Sequence, residues 1–160
     1  MPKAALREWL NEQPKSVVVP VSSRDIAKFA IATGATDAAH FDAHVARERG
    51  YPDVVAPDLF YLSLRTAAFN VVPQDELHEE GTSLADIPPI EYQIAMAGET
   101  KVTLHRRFVA GEPVRVTCTR ENATSKQGRS GILTFIEFRY DYATEAGDPI
   151  ATERFTRIFR

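Results

Sequence analysis

His40 stands a few residues past Gly34, which ends one predicted helix, and just ahead of two more. Imidazole titrates near neutrality, so it can both take and give a proton. Downstream, Val54, Val55, Ala56 and Pro57 lead into a long apolar run that begins at Asp58. The first backbone N–H groups of a helix opening there have no partner inside it. A base and free N–H donors are the minimal kit for proton chemistry beside a carbonyl: one moves the proton, the others hold the developing oxyanion. Asp37 and Asp42 flank His40 and are the nearby carboxylates that could share its work. The remaining histidines offer less. His44 lies one helical turn past His40, but the pair has no third ligand nearby, so no metal is expected. His78 sits among Asp75, Glu76, Glu79 and Glu80 and reads as solvated. His105 falls in a predicted strand on the face opposite Val102 and Leu104, exposed or at a dimer seam.

The elements that must position these residues are legible from their punctuation. Residues 2–12 read as a short helix with Ala5, Leu6, Trp9 and Leu10 on one stripe. Residues 16–21 are β-prone but carry Pro20, which suits an edge strand. Ser22 or Ser23 caps a helix over 24–33, and Gly34 closes it. A short helix over 42–49 follows, ended by Gly50. Pro57 then sits in the first turn of a helix over 58–70. That helix is apolar nearly all round, apart from Ser63, Arg65 and Thr66, so something must wrap it. Residues 73–90 are acidic and rich in turn formers and read as a mobile loop or flap.

From residue 90 the pattern becomes alternation. Strands are expected over 92–96, 99–109, 114–123, 132–142 and 151–159. Hairpin turns are expected at Gly111-Glu112-Pro113 and at residues 145–148, with Gly98 marking a bulge or a close backbone approach. An apolar helix before a set of long antiparallel strands is buried most cheaply by curling the sheet around it, an α+β arrangement. Such a sheet keeps an open edge, so dimerisation is expected.

The 160 residues fit one domain, and 44% hydrophobic with 26% charged residues is ordinary for a soluble protein. No basic-then-apolar leader is present, the longest apolar runs are too short to span a bilayer, and the chain reads as cytoplasmic. The single cysteine, Cys118, excludes an intrachain disulfide and lies in an alternating strand pattern. A net charge of −3 argues against general nucleic-acid binding. The charge is uneven: residues 101–160 carry 11 basic and 7 acidic side chains, a local excess of +4.

Taken together, Gly34-Ala35-Thr36-Asp37, Phe41, Gly50-Tyr51, Val54-Val55-Ala56-Pro57, Val109-Ala110-Gly111-Glu112 and Gly128-Arg129-Ser130-Gly131 resemble the MaoC-like hotdog superfamily. The resemblance is to its divergent N-terminal dehydratase branch of fatty-acid-synthase type, and there to the non-catalytic subunits of heterodimeric (R)-3-hydroxyacyl-ACP dehydratases. It covers residues 16–160 as one hotdog domain, with 1–15 as a helical extension. It implies an antiparallel sheet wrapped around a central helix, no cofactor, an acyl-CoA or acyl-ACP thioester as ligand, and a second hotdog subunit as partner. It also implies roles. His40, with Asp37, occupies the catalytic segment, and the Asp58 backbone N–H faces the thioester carbonyl. Ala56, Pro57, Phe60, Tyr61 and Leu64 line the acyl site, the last three as core residues first. Arg106 and Arg107 could meet carrier phosphates, or be surface residues.

The chain departs from that family twice. The catalytic motif G-D-x-N-P-x-H becomes Gly34-Ala35-Thr36-Asp37-Ala38-Ala39-His40: the histidine is in register and its carboxylate partner is Ala35. The Ala-His-Gly that opens the central helix becomes Ala56-Pro57-Asp58, which removes an N–H and adds an acid, although Ala-Pro is typical of the divergent branch. The expected function is therefore that of an acyl-binding subunit for (R)-specific hydration of 2-enoyl thioesters or dehydration of 3-hydroxyacyl thioesters. A self-sufficient homodimer using His40 with Asp37, a non-enzymatic acyl-thioester binder and, more weakly, a hotdog thioesterase remain open.

Overall fold

Five antiparallel strands form one sheet in the computed structural model, which describes residues 3–79, 81–129 and 131–160. The chain runs α1 (Lys3–Leu10), β1 (Lys15–Val19), α2 (Ser23–Thr33), α3 (Ala43–Glu48), α4 (Tyr61–Phe69), β2 (Ala95–Leu104), β3 (Val114–Gly128), β4 (Gly131–Thr144) and β5 (Pro149–Phe159). The sheet order is β1-β3-β4-β5-β2. β3, β4 and β5 form a meander whose inward positions, among them Val116, Cys118, Ile136, Phe138, Tyr140 and Tyr142, are buried. The alternation that predicts these strands thus places one apolar face toward α4. The residues 145–148 turn closes the β4–β5 hairpin, with Thr144 N–H donating to the Asp148 carbonyl. Of the Gly128–Gly131 motif, Ser130 lies outside the described residues; Gly128 and Gly131 face each other at the end of β3 and β4.

Several expectations need correction. Gly111-Glu112-Pro113 is not a hairpin turn: β2 pairs with β5, on the far side of the sheet from β3. Residues 105–113 cross over instead, because Phe108 and Val109 are buried and the backbone of Phe108 and Ala110 bonds to 54–56. The predicted strands over 92–96 and 99–109 are a single strand, β2, whose register on β5 slips between Ala97 and Thr100. Gly98 sits at that slip, where a Cβ would come within 2.8 Å of the Thr156 carbonyl oxygen. His105 therefore lies beyond the strand end, exposed. The segment 132–142 lies in the central strand β4, and the edges are β1 and β2.

Another correction concerns the apolar helix. Residues Asp58–Phe60 form a 3-10 turn that runs into α4, and burial is one-sided. Phe60, Tyr61, Leu64 and Phe69 are buried while Leu59 is 55% exposed. One curved sheet covers one side of a helix; the other side stays open in the single chain. The buried side is knit by aromatic edges: Phe60 to Phe108 at 6.2 Å, Phe108 to Tyr142 at 5.8 Å and Tyr61 to Tyr142 at 6.1 Å between ring centroids. Such pairs each add about 0.5–1.5 kcal/mol beyond their buried area.

α1 packs on the sheet through Trp9, edge-on to Phe138 and stacked 4.0 Å from the Arg120 guanidinium. The acidic segment after α4 holds two 3-10 turns, Gln74–Glu76 and Leu84–Asp86, and a bridge from Leu77 to Ser83. It is pinned rather than loose: Lys15 reaches Asp86 at 3.1 Å, Arg120 donates to the Ala85 carbonyl and Arg157 to the Thr82 hydroxyl. His78 is half-buried against the Tyr92 ring, not solvated. No helix among the described residues is long and apolar enough to cross a membrane.

Candidate functional site

Local caps build the loop that carries His40. The Ser22 hydroxyl accepts from Asp25 N–H and starts α2; Gly34, at φ 70°, ends it with its N–H on the last carbonyls. The chain then turns and Asp37 caps a short 3-10 turn, Ala38–His40, by accepting from Ala39 N–H at 3.0 Å. Asp42 caps α3 by accepting from His44 N–H at 2.7 Å. α3 ends at Arg49, whose guanidinium returns to Asp37 with contacts of 2.5 and 2.7 Å. The segment 54–56 then threads between this loop and the crossover. Val55 N–H donates to the Ala39 carbonyl, Ala56 N–H to the Phe108 carbonyl, and Ala110 N–H to the Val54 carbonyl.

His40 is buried, 5% exposed, and its Nδ1 lies 2.7 Å from the Val55 carbonyl oxygen. A carbonyl only accepts, so Nδ1 carries the proton. In the neutral ring, Nε2 then carries the lone pair, the tautomer a base requires. Val55 precedes the helix start by three residues, so this one bond fixes the imidazole against the approach to Asp58. Phe41 sits edge-on to the ring at 6.4 Å.

The carboxylates flanking His40 are committed elsewhere. Asp37 caps Ala39 and pairs with Arg49; the Ala39 N–H, then the Arg49 guanidinium, hold its carboxyl below the ordinary carboxylate value. A carboxylate so held keeps its charge and is a poor proton acceptor. Asp42 is spent on α3, and His44 pairs with Glu48 at 3.3 Å. Among the described residues no group of three or more His, Cys, Asp or Glu side chains could hold a metal ion. Cys118 is buried, and burial pushes its thiol up to about 11, so it is an unreactive wall residue.

Asp58 and Arg107 meet: Arg107 Nε lies 2.9 Å from Asp58 Oδ1. Arg106 grips Glu112 with two 2.8 Å bonds. Both arginines, with Gly50, Tyr51, Pro52 and Glu112, border a groove of about 690 Å³. Ala56, Phe60, Tyr61 and Leu64 are buried at the head of α4, and Pro57 is half-buried. The fold thus gathers the predicted helix-start and basic residues into one region beside His40's anchor, while Asp37 turns toward Arg49.

Two groups escape a reading by motif. Arg49 is an ordinary helix-end cation until the turn brings it to Asp37. Arg65 on α4 pairs with Glu153 on β5, which is fully buried and also accepts from the Tyr142 hydroxyl at 2.9 Å. Desolvation raises the Glu153 carboxyl, against the pull of Arg65 and Tyr142. The available signal was parity: Glu153 shares the inward face of its strand with Ala151, where an acid is out of place.

Comparison with known proteins follows the same lines. The model of the family described as "FAS1-like, dehydratase domain region" matches residues 10–153. A UPF0336 protein of Saccharopolyspora erythraea is 26% identical over 150 residues, covering 94% of this chain and 87% of the relative. The ChsH1–ChsH2 complex of Mycobacterium tuberculosis contains a chain that superposes with a TM-score of 0.77 at 20% identity, over 98% of this chain and 89% of that one. A chain of the C-terminally truncated HadBC (3R-hydroxyacyl-ACP dehydratase) complex of the same organism gives 0.71 at 14% identity, over 93% and 96%.

Proposed function

Because this chain belongs to the FAS1-like dehydratase family, with the hotdog fold, we propose that it is the acyl-thioester-binding subunit of an (R)-specific hydratase or dehydratase. Its partner, in this reading, is a second hotdog subunit that carries an intact Asp/His pair. One observation carries the proposal: His40 stands without a carboxylate, since Ala35 occupies the family's acid position and Asp37 and Asp42 are consumed as caps. In the reaction, water adds across the 2,3 double bond of an enoyl thioester, oxygen to C3 and a proton to C2, and the enzyme's acid and base divide the two proton transfers. A lone imidazole supplies one half of that division. The solved complexes with a similar chain, ChsH1–ChsH2 and HadBC, are named as assemblies, which supports a partnered subunit.

In this proposal the Asp58 backbone N–H holds the thioester oxygen, and Ala56, Pro57, Phe60, Tyr61 and Leu64 contact the first carbons of the acyl chain. The Arg107–Asp58 ion pair offsets the negative charge that Asp58 would otherwise place beside a developing oxyanion. At the groove Arg106 exchanges Glu112 for a carrier phosphate, and Arg107 adds its positive charge beside that phosphate while still paired with Asp58.

The test is hydration of crotonyl-CoA by the purified protein, by its His40→Ala variant, and by each with a candidate catalytic hotdog subunit. The wild type alone should be nearly inactive, and the mixture active with either form. Robust turnover by the wild type alone, lost in His40→Ala, would replace this reading with a self-sufficient enzyme.

A further inference from the structure

A cavity of about 240 Å³ lies on the sheet side of α4, away from His40. Phe138, Tyr140 and Phe155 line it together with polar side chains, among them Arg65, Asn70 and Asp86. The Arg65 guanidinium is oriented rather than free to swing. One of its nitrogens donates to Glu153, and its plane lies 4.8 Å from the Phe155 ring centroid and 5.4 Å from that of Tyr140. Glu153 is in turn fixed by the Tyr142 hydroxyl. Among the described residues Arg65 makes no other hydrogen bond, and its side chain keeps 22% of its surface accessible. An arginine has five N–H donors. Arg65 lines the cavity, and among the described residues only Glu153 accepts from its donors.

We propose that this cavity receives the far end of a bound acyl chain and selects one bearing an acceptor oxygen there, a hydroxyl or a carboxylate. The proposal rests on the acyl-thioester reading and extends it to chain-end chemistry. Arg65 lies seven residues past Asp58, about 10 Å along a helix axis, which an extended chain covers in roughly eight carbons. Along that stretch the side chains of Tyr61, Tyr142, Glu153 and Arg65 are linked one to the next. A methyl-ended chain would cover the guanidinium donors and offer them nothing, leaving buried polar groups unpaired. An oxygen in that place accepts from them while the alkyl part packs on the phenyl rings. The edge strand β2 supplies another wall through Ala97.

The test separates the cavity from the thioester site. Affinities are measured by titration calorimetry for octanoate and 1-octanol, for butyryl-CoA, and for decanoyl-CoA beside its ω-hydroxy and ω-carboxy counterparts. The variants are Arg65→Met/Glu153→Met, which removes both charges together so that neither is left buried alone, and Ala97→Phe, which fills the cavity without touching the pair. The wild type should bind the two ω-oxygenated thioesters at least tenfold more tightly than decanoyl-CoA. The double variant should erase that preference, and either variant should leave butyryl-CoA binding unchanged. Octanoate and octanol should bind the wild type and neither variant. Equal affinity for the three ten-carbon thioesters, or a preference that survives in the double variant, overturns the proposal. Octanoate binding lost in both variants, with no thioester bound by any form, keeps the cavity as a site for oxygen-bearing alkyl chains and removes the thioester reading instead.

Discussion

The hydrogen bond from His40 Nδ1 to the Val55 carbonyl sets the tautomer and ties the ring to the segment that leads into α4. The missing carboxylate is a matter of one residue. Ala35 is half-buried, with its N–H on the Ala30 carbonyl, five positions before His40. In the proposed reading an acid there would stand as the partner of His40. A single positioned acid or base contributes roughly a hundred- to ten-thousand-fold. Ala35→Asp should therefore raise crotonyl-CoA hydration by the isolated protein at least tenfold, and an unchanged rate would show that position 35 does not face the reacting water. Asp37 tests the other carboxylate. Its folded-state pKa is lowered by the Ala39 N–H and Arg49, so its contribution to stability is present above the ordinary carboxylate pKa and is lost as pH falls through the lowered value. Asp37→Ala should melt below the wild type at neutral pH, with the gap closing as pH drops beneath the carboxylate range. A gap that persists in acid would assign the effect to something other than the charge.

Among the elements, α1 and the acidic segment after α4 are joined through one side chain. Arg120 of β3 is 6% exposed; it donates to the Trp9 carbonyl at 2.7 Å, to Glu12 at 2.6 Å and to the Ala85 carbonyl at 2.5 Å. It therefore joins the N-terminal helix to the 3-10 turn Leu84–Asp86, and Asp86 borders the cavity under α4. Hydrogen bonds to charged groups are worth about 1.5–3 kcal/mol, so Arg120→Met should cost on that order. The loss should be local. Hydrogen exchange should quicken in residues 3–10 and 82–86 while β4 stays protected, and uniform loosening of the whole sheet would contradict a clamp role.

At the scale of the whole molecule the two sheet edges differ. β1 has five residues, begins with Lys15 and is followed by Pro20, all features that discourage pairing. β2 has ten residues, one bare edge and partly exposed Met96 and Val102. Leu59, in the 3-10 turn before α4, adds exposed apolar surface. In the proposed subunit reading these features make β2 the edge at which a second hotdog subunit would pair. At micromolar concentration the wild type should sediment as a dimer, with itself or with the catalytic subunit. Val102→Lys should shift it toward monomer while leaving its melting temperature within a few degrees. A wild type that stays monomeric with every candidate partner would remove the subunit reading altogether.

Much of this protein is written in short-range pattern. Ser22 and Gly34 bound α2 because a hydroxyl cap and a left-handed glycine act on neighbouring residues. The alternation in β3, β4 and β5 selects an inward face residue by residue, and the order of motifs around His40 carries the family. What the tertiary structure decided is pairing across distance. Nothing in the spacing of Gly111-Glu112-Pro113 tells a hairpin from a crossover, and the choice fell to burial of Phe108 and Val109 against 54–56. The partners of Asp37, Asp58 and Glu153 likewise lie 12, 49 and 88 residues away in sequence, at Arg49, Arg107 and Arg65. A charge finds its partner only after the chain has closed on itself, because the energy that brings the two together is the packing of everything between them.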